Sequence, residues 1–228
     1  MSGFGLYLAF LIPPLLIGFL VQGWLKKTVA AQMQVRVANG MTGAEVARMI
    51  LDRNGLHGVP VQAAPGGPLS DHYDPRKRTV NLSQGVYDGN AVASAAIAAH
   101  EVGHAIQHEK AYAPFRLRSA MFPAVSFASS AWIMLLIGGA LLGLFGLVKI
   151  AIVLYAVVVL FQLVTLPVEF DASRRAKQQL HGLGLVSSGE SKGVSNVLTA
   201  AAMTYVAGAL AALSQLAYYA LAFLGNRN

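Results

Sequence analysis

Two histidines four residues apart, with a glutamate directly after the first, are the residues best suited to chemistry. Residues 98–110 read AAHEVGHAIQHEK, which places His100 and His104 at positions i and i+4 of a helix. Residues with this spacing share one helix face, with Cβ atoms about 5–6 Å apart, so both imidazoles can bind one ion. The pattern predicts that His100 and His104 are ligands of a single zinc ion (Zn2+), one per chain.

Glu101 is turned by about 100° from His100 around the helix axis. It can therefore reach a water molecule at the metal without binding the metal itself. Zinc lowers the pKa of such a water and polarises a carbonyl, and a carboxylate can then act as general base. We expect Glu101 to be catalytic. Gly103 costs a helix about 1 kcal/mol relative to alanine, which indicates a need for space that we assign to the metal side of the helix.

Two histidines are an incomplete catalytic zinc site, because such sites use three protein ligands and an open position. We expect the third ligand to be Glu169, in the segment LPVEFDASRRAKQQLHGLG (166–184). Asp171 is an alternative ligand, or a residue that orients a ligand histidine. His108 is a weaker alternative, since it lies a further turn along the same helix and about 80° around from the first histidine.

The charged residues of this segment also have explanations that involve no metal. Glu169 could be a carboxylate at a helix start, stabilised by the helix dipole. Arg174 and Arg175 could pair with the nearby carboxylates, bind lipid phosphate or stabilise an oxyanion.

The composition is that of a membrane protein. Of the 228 residues 55% are hydrophobic and 12% charged, and the mean hydropathy is +0.54, whereas an ordinary soluble domain is about 25% charged. The chain has no cysteine, so any metal must be held by His, Asp or Glu. Despite a net charge of +7, the basic residues form no stripe with interleaved aromatics, and we expect no nucleic acid partner.

Four apolar segments are long enough to cross a bilayer as helices. They are residues 4–25, 123–148, 150–168 and 197–224. Pro13 and Pro14 should kink the first span. A signal peptide is the alternative there, but Lys26 and Lys27 follow the apolar run where a cleavage site of small residues would be needed. Only Lys149 separates the second and third spans, which predicts a tight hairpin over 123–168.

Basic residues predict the orientation of these spans. Residues 26–122 contain eleven Lys and Arg and residues 169–196 contain four, whereas only Lys149 and Arg227 remain for the other side. Since Lys and Arg concentrate on the cytoplasmic side, we expect 26–122 and 169–196 to be cytoplasmic and both termini outside.

The segment 26–122 is long enough for a small folded domain. The expected elements are a helix over 42–56, strands over 59–62 and 78–83, and a helix from a cap at Asn90 to about Lys110. Thr42 and Glu45 have capping-box spacing, and Gly55 is placed to end the first helix. AAPGGPLSDHYDP, between the strands, is rich in turn residues.

Three blocks in order, GGPLSDHYDPRKRTVNLS, HEVGHAIQH and PVEFDASRRA, resemble the YugP-type neutral zinc metallopeptidases of bacterial membranes. The resemblance covers roughly residues 35–200. It implies a hydrolase of the bacterial inner membrane that cleaves protein or peptide substrates. The arrangement is also distantly similar to HtpX and the CAAX prenyl endopeptidases, in which a later glutamate, matching Glu169, is the third zinc ligand. Those families usually have Asp four residues after that glutamate, where this chain has Ser173.

We therefore expect a mostly α membrane protein of about four transmembrane helices with a small cytoplasmic zincin-like α+β domain. The resemblance suggests that a strand edging the cleft pairs with extended substrate. His72, Tyr73 and Asp74 precede such a strand, as site residues or as a solvated turn. Membrane partner proteins or an oligomer are left open.

Two other functions are alternatives. The first is a non-catalytic membrane adaptor with a structural zinc site, although such a site has no need of a base like Glu101. The second is a metal transporter, which would need ionisable residues inside the spans, and the spans have essentially none.

Overall fold

The computed structural model describes residues 3–225, with side chains for residues 4–222, and is mostly α-helical with one small sheet. The helices are α1 (Gly3–Gln32), α2 (Gly43–Arg53), α3 (Gln84–Tyr87), α4 (Val92–Glu109), α5 (Ala113–Leu141), α6 (Phe145–Gly182) and α7 (Ser191–Gly225). The strands are β1 (Val61–Ala63), β2 (His72–Asp74) and β3 (Thr79–Leu82). Helices α1, α5, α6 and α7 are long and apolar enough to cross a membrane. The expected fold class, a mostly α membrane protein with a small α+β part, is confirmed.

The described chain forms two compact units. The helical unit comprises residues up to Val21, Leu117–Leu166 and the chain from Thr204. The mixed unit comprises Gln22–Arg116 and Pro167–Met203, and it contains the sheet and all four residues of the predicted site.

The helical unit presents large apolar side chains outward, as lipid-facing helices do. Phe19, Met134 and Leu141 are 78%, 73% and 82% exposed. Inside the unit, Trp132 and Tyr219 pack on the ring of Tyr155, with ring centroids 4.5 Å and 5.9 Å from it. Aromatic packing between helices therefore supplies part of the interior of this unit.

Helix α1 continues through Pro13 and Pro14. Proline has no N–H, so Pro14 cannot donate to the carbonyl of Phe10, four residues earlier. Ser214 of α7 donates its hydroxyl to that carbonyl at 2.7 Å. A serine in an apolar helix thus satisfies a backbone group that lipid could not.

The connection between α5 and α6 does not lie where the sequence predicted. The turn is at residues 142–144, and Lys149 lies inside α6. Gly143 has φ +66°, a backbone conformation that glycine adopts without strain and that reverses the chain here. Helix α5 also begins at Ala113, well before the predicted start at residue 123. The polar residues before 123 lower the hydropathy and so were left out of the predicted span, but they are helical nonetheless.

The sheet of the mixed unit has strand order β1-β3-β2. Strand β3 pairs in parallel with β1 and antiparallel with β2, where Tyr73 lies opposite Val80. The strands expected over 59–62 and 78–83 are present with shifted bounds. Strand β2 lies within the segment that the sequence predicted to be rich in turns, and it is an edge strand.

The predicted cap of α2 is present, whereas that of α4 is not. Thr42 and Glu45 form both bonds of the capping box. The N-cap of α4 is Ala91, which makes no side-chain cap bond, so the prediction of Asn90 was wrong. Backbone bonds hold this end instead, because Val37 N donates to Asn90 O at 2.9 Å and Val92 N to Val35 O at 2.8 Å.

Helix α4 is the central element of the mixed unit. Most of its residues are buried on all sides, including Val102 at 0% exposure. Buried aliphatic side chains of α2, β3 and α6 surround it, among them Ile50, Val80 and Leu180. This packing fixes the helix that carries His100 and His104.

Candidate metal site

His100 and His104 of α4 converge with Glu169 of α6. One potential ligand atom from each residue lies within 4.8 Å of the other two. The Glu169 Oε2 atom is 3.1 Å from His100 Nε2 and 3.5 Å from His104 Nε2. The two imidazole rings are almost perpendicular, at 86°. All three side chains are largely enclosed, with 12%, 9% and 2% of their surface exposed.

Gly103 allows α4 and α6 to approach closely enough for this. A Cβ atom at this position would lie 2.7 Å from the carbonyl oxygen of Ala172 and 3.2 Å from its Cα. The space that the sequence led us to assign to the metal side is thus occupied by the backbone of α6. Glycine at 103 therefore sets the distance between the helix of the two histidines and the helix of the glutamate.

Glu169 lies well inside α6, which begins at Phe145 and ends at Gly182. It is therefore not a helix-start charge, and the dipole does not explain it. At 1% exposure it is among the most buried charged residues of the described chain. A buried carboxylate needs compensating partners, and here the two imidazoles face it.

The three donors suit a zinc ion. In tetrahedral coordination with bonds of about 2.0–2.1 Å, neighbouring ligand atoms are about 3.4 Å apart. The distances of 3.1 Å and 3.5 Å from Glu169 Oε2 to the two imidazole nitrogens are close to that value. Two histidines and one glutamate are also a known ligand set of catalytic zinc.

Glu101 lies beside this group without belonging to it. Its side chain is buried, and its Oε2 atom accepts the backbone N–H of Tyr73 in β2 at 3.0 Å. Burial raises the pKa of Glu101 to about 7; the carboxylate of Glu169 adds to this, whereas His100 and the Tyr73 N–H oppose it. A carboxyl that titrates near neutrality is well matched to general acid–base chemistry.

The outer nitrogens of both histidines also have partners. His104 Nδ1 is 3.0 Å from Gln107 Oε1, and Gln107 Nε2 donates to Val168 O at 2.8 Å and to Asp171 Oδ2 at 2.9 Å. His100 Nδ1 is 3.2 Å from Ser173 Oγ. Gln107 was not among the predicted site residues, although its i+3 spacing from His104 was a usable signal. Ser173 was noted only as a departure from Asp.

Asp171 and the two arginines form a separate charged cluster. Asp171 is outside the three-donor group and accepts from Gln107, Arg174 and Arg175. Arg175 also lies over the ring of Tyr112, with its guanidinium carbon 5.7 Å from the centroid. Of the three expectations for the arginines, pairing with a carboxylate is the one seen here.

The remaining candidates lie outside the donor group. His108 Nδ1 is 2.9 Å from the hydroxyl of Tyr73, and burial lowers the pKa of His108. His72 is exposed and its Nδ1 contacts the carbonyl of Ser70 at 2.8 Å. Asp74 accepts two backbone N–H groups of the turn after β2. Of these residues, only Tyr73 reaches the site, through its backbone contact with Glu101.

The sequence is similar along almost its whole length to a protein of Bacillus subtilis (strain 168) described as "Putative membrane protease YugP". The two are 45% identical over 223 residues, which cover 98% of this chain and 99% of the relative. No solved structure matches the chain. Residues 7–224 match the family described as "Putative neutral zinc metallopeptidase". The chain belongs to the family of that description.

Proposed function

We propose that the protein is a membrane-embedded zinc endopeptidase in which His100, His104 and Glu169 hold one zinc ion and Glu101 is the general base. The family description and the name of the Bacillus relative support a peptidase at a membrane. The observation that carries the proposal is the position of Glu101. Its carboxyl is buried next to three converging donors, yet it is not one of them.

Hydrolysis of a peptide bond needs one group that carries a proton from the attacking water to the leaving amine. Zinc, when bound, supplies a Lewis acid that acidifies water and polarises the carbonyl of a peptide bond. Glu101 takes a proton from the attacking water and later gives it to the leaving amine. Its Oε2 atom accepts the Tyr73 N–H, which leaves Oε1 for proton transfer. The backbone of β2 thus orients the base.

The site faces the cytoplasm in this proposal, and the substrates are proteins or peptides reached from that side of the bacterial inner membrane. The support is the distribution of basic residues, fifteen in the two polar segments against two elsewhere.

Glu101→Gln tests the proposal, because it keeps the size and shape of the side chain but removes the proton acceptor. The variant should insert into the membrane and, once purified in detergent, bind zinc as the wild type does. It should cleave an unstructured protein such as casein about 10²–10⁴-fold more slowly. Glu109→Gln is the matched control, since Glu109 is on the same helix, exposed, and paired with Arg78. It should leave cleavage unchanged.

Equal cleavage by the wild type and the zinc-loaded Glu101→Gln variant would exclude Glu101 as the base. If the protein is instead a non-catalytic adaptor, neither form should cleave, and Glu101→Gln should leave the cellular role of the protein intact.

A further inference from the structure

We infer that Gln107 is a positioning residue that fixes the tautomer of the ligand His104. The inference rests on the proposed zinc site and concerns how that site is prepared for metal. Gln107 is fully buried on α4, one helical turn after His104, and its side-chain amide bonds to three groups in the interior of the mixed unit.

The orientation of the Gln107 amide is determined by its surroundings. Its Nε2 atom faces the carbonyl of Val168 at 2.8 Å and the carboxylate of Asp171 at 2.9 Å. A carbonyl can only accept hydrogen bonds, and the same holds for the carboxylate of Asp171 when it is ionised. A flipped amide would place an oxygen against two other oxygens, so Oε1 must be the atom that faces His104.

A fixed amide oxygen in turn dictates the state of the imidazole. Oε1 can only accept, so His104 Nδ1, at 3.0 Å, must carry the hydrogen. Its Nε2 atom, 3.5 Å from Glu169 Oε2, is then the nitrogen that a metal can use. The contact from Ser173 to His100 does not impose this, because a hydroxyl can donate or accept.

Gln107 also separates His104 from a negative charge. The carboxylate of Asp171 lies beyond the amide and is paired with Arg174 and Arg175. The imidazole thus receives a neutral acceptor in place of a carboxylate, while the charge of Asp171 is compensated on its far side. Loss of an outer partner of this kind typically lowers metal affinity 10–100-fold.

Two double variants isolate the acceptor from the packing. In Gln107→Glu with Asp171→Asn, one oxygen of the introduced carboxylate can accept from His104 and the other from the introduced amide. In Gln107→Met with Asp171→Asn, no acceptor remains at position 107. Both variants lose the same donor to Val168 O and the same charge at position 171, so the loss of those two contacts alone would affect them equally.

The first measurement is zinc affinity of the full-length protein in detergent, by competition with a chelator. The glutamate-containing variant should bind within a few-fold of wild type, and the methionine-containing variant 10–100-fold more weakly. Equal affinities of the two double variants would overturn the inference.

The second measurement needs no metal. Nitrogen NMR of histidine-labelled, zinc-free protein, recorded at a pH where the spectra themselves show neutral His104, reports which nitrogen carries the hydrogen. His104 should be Nδ1–H in wild type and in the glutamate-containing variant, and should lose this preference in the methionine-containing variant. An unchanged tautomer in the latter would overturn the inference. Failure of wild type to bind zinc would instead refute the proposed function, and the tautomer result would still decide the role of Gln107.

Discussion

Gly103→Ala should damage the proposed metal site through backbone contact alone. The new Cβ atom would lie 2.7 Å from the carbonyl oxygen of Ala172, and ordinary contact begins at 3.4 Å. The backbones of α4 and α6 must therefore separate by about 0.7 Å, because neither atom belongs to a flexible side chain. Overpacking of this kind costs about 1–3 kcal/mol, of which the better helix propensity of alanine offsets about 1 kcal/mol.

The effect on metal binding should exceed the effect on stability. Zinc sites tolerate deviations of about 0.2 Å in ligand distances, and a separation of 0.7 Å would carry Glu169 away from both histidines. We expect zinc affinity to fall tenfold or more, while the free energy of unfolding falls by at most about 2 kcal/mol. Chelator competition and thermal unfolding in detergent measure the two quantities.

Gly23→Ala is the matched control, since a Cβ atom on Gly23 in α1 would meet nothing within 4 Å. It should leave the zinc affinity unchanged, and the free energy of unfolding should be the same or slightly higher. Wild-type zinc affinity in Gly103→Ala would show that the close approach of the two helices does not hold the donors together.

Three further predictions concern the ligand set, the orientation and the helical unit. Glu169→Ala should lower zinc occupancy at least tenfold by metal analysis, and full occupancy would assign the third ligand elsewhere. In intact cells an impermeant thiol reagent should label Leu142→Cys, in the turn between α5 and α6. It should not label the exposed Gln62→Cys until the cells are permeabilised. The reverse pattern would show that the orientation is inverted. Ser214→Ala should cost about 1–3 kcal/mol in thermal unfolding, because the carbonyl of Phe10 is left without a partner; an unchanged midpoint would show that another group satisfies it.

Hydropathy predicted the existence of the long helices well and their ends poorly. Residues 169–182 are rich in charged and polar residues, so their hydropathy marks the end of an apolar segment. The same residues are mostly good helix formers (Ala, Arg, Lys, Gln and Leu), and α6 continues through them to Gly182. Hydropathy reports the solvent around a helix, whereas helix ends depend on backbone hydrogen bonding.

The pairing of the two histidines could be anticipated from their helical spacing. Glu169 could be anticipated from its place at the end of an apolar segment, on the same predicted side of the membrane as the histidines. The role of Gly103 could not, since it depends on a neighbour about 70 positions away in sequence, Ala172. Strand β2 was missed because three residues are too few to show alternation, and its pairing with β3 is a tertiary event. The start of α4 was misplaced because backbone bonds replace a capping side chain: Val92 donates to the carbonyl of Val35, and Val37 donates to the carbonyl of Asn90.

The separation of the donors along the chain has a consequence for biosynthesis. His100 and Glu169 are 69 residues apart, with all of α5 and much of α6 between them. A growing chain therefore carries the two histidines and the base long before it carries the third donor. With the ligand set we propose, a hydrolytic centre cannot be completed until most of α6 has been synthesised and packed on α4. In the function proposed above, the nascent polypeptide is therefore unable to hydrolyse peptide bonds while α5 and most of α6 are being synthesised.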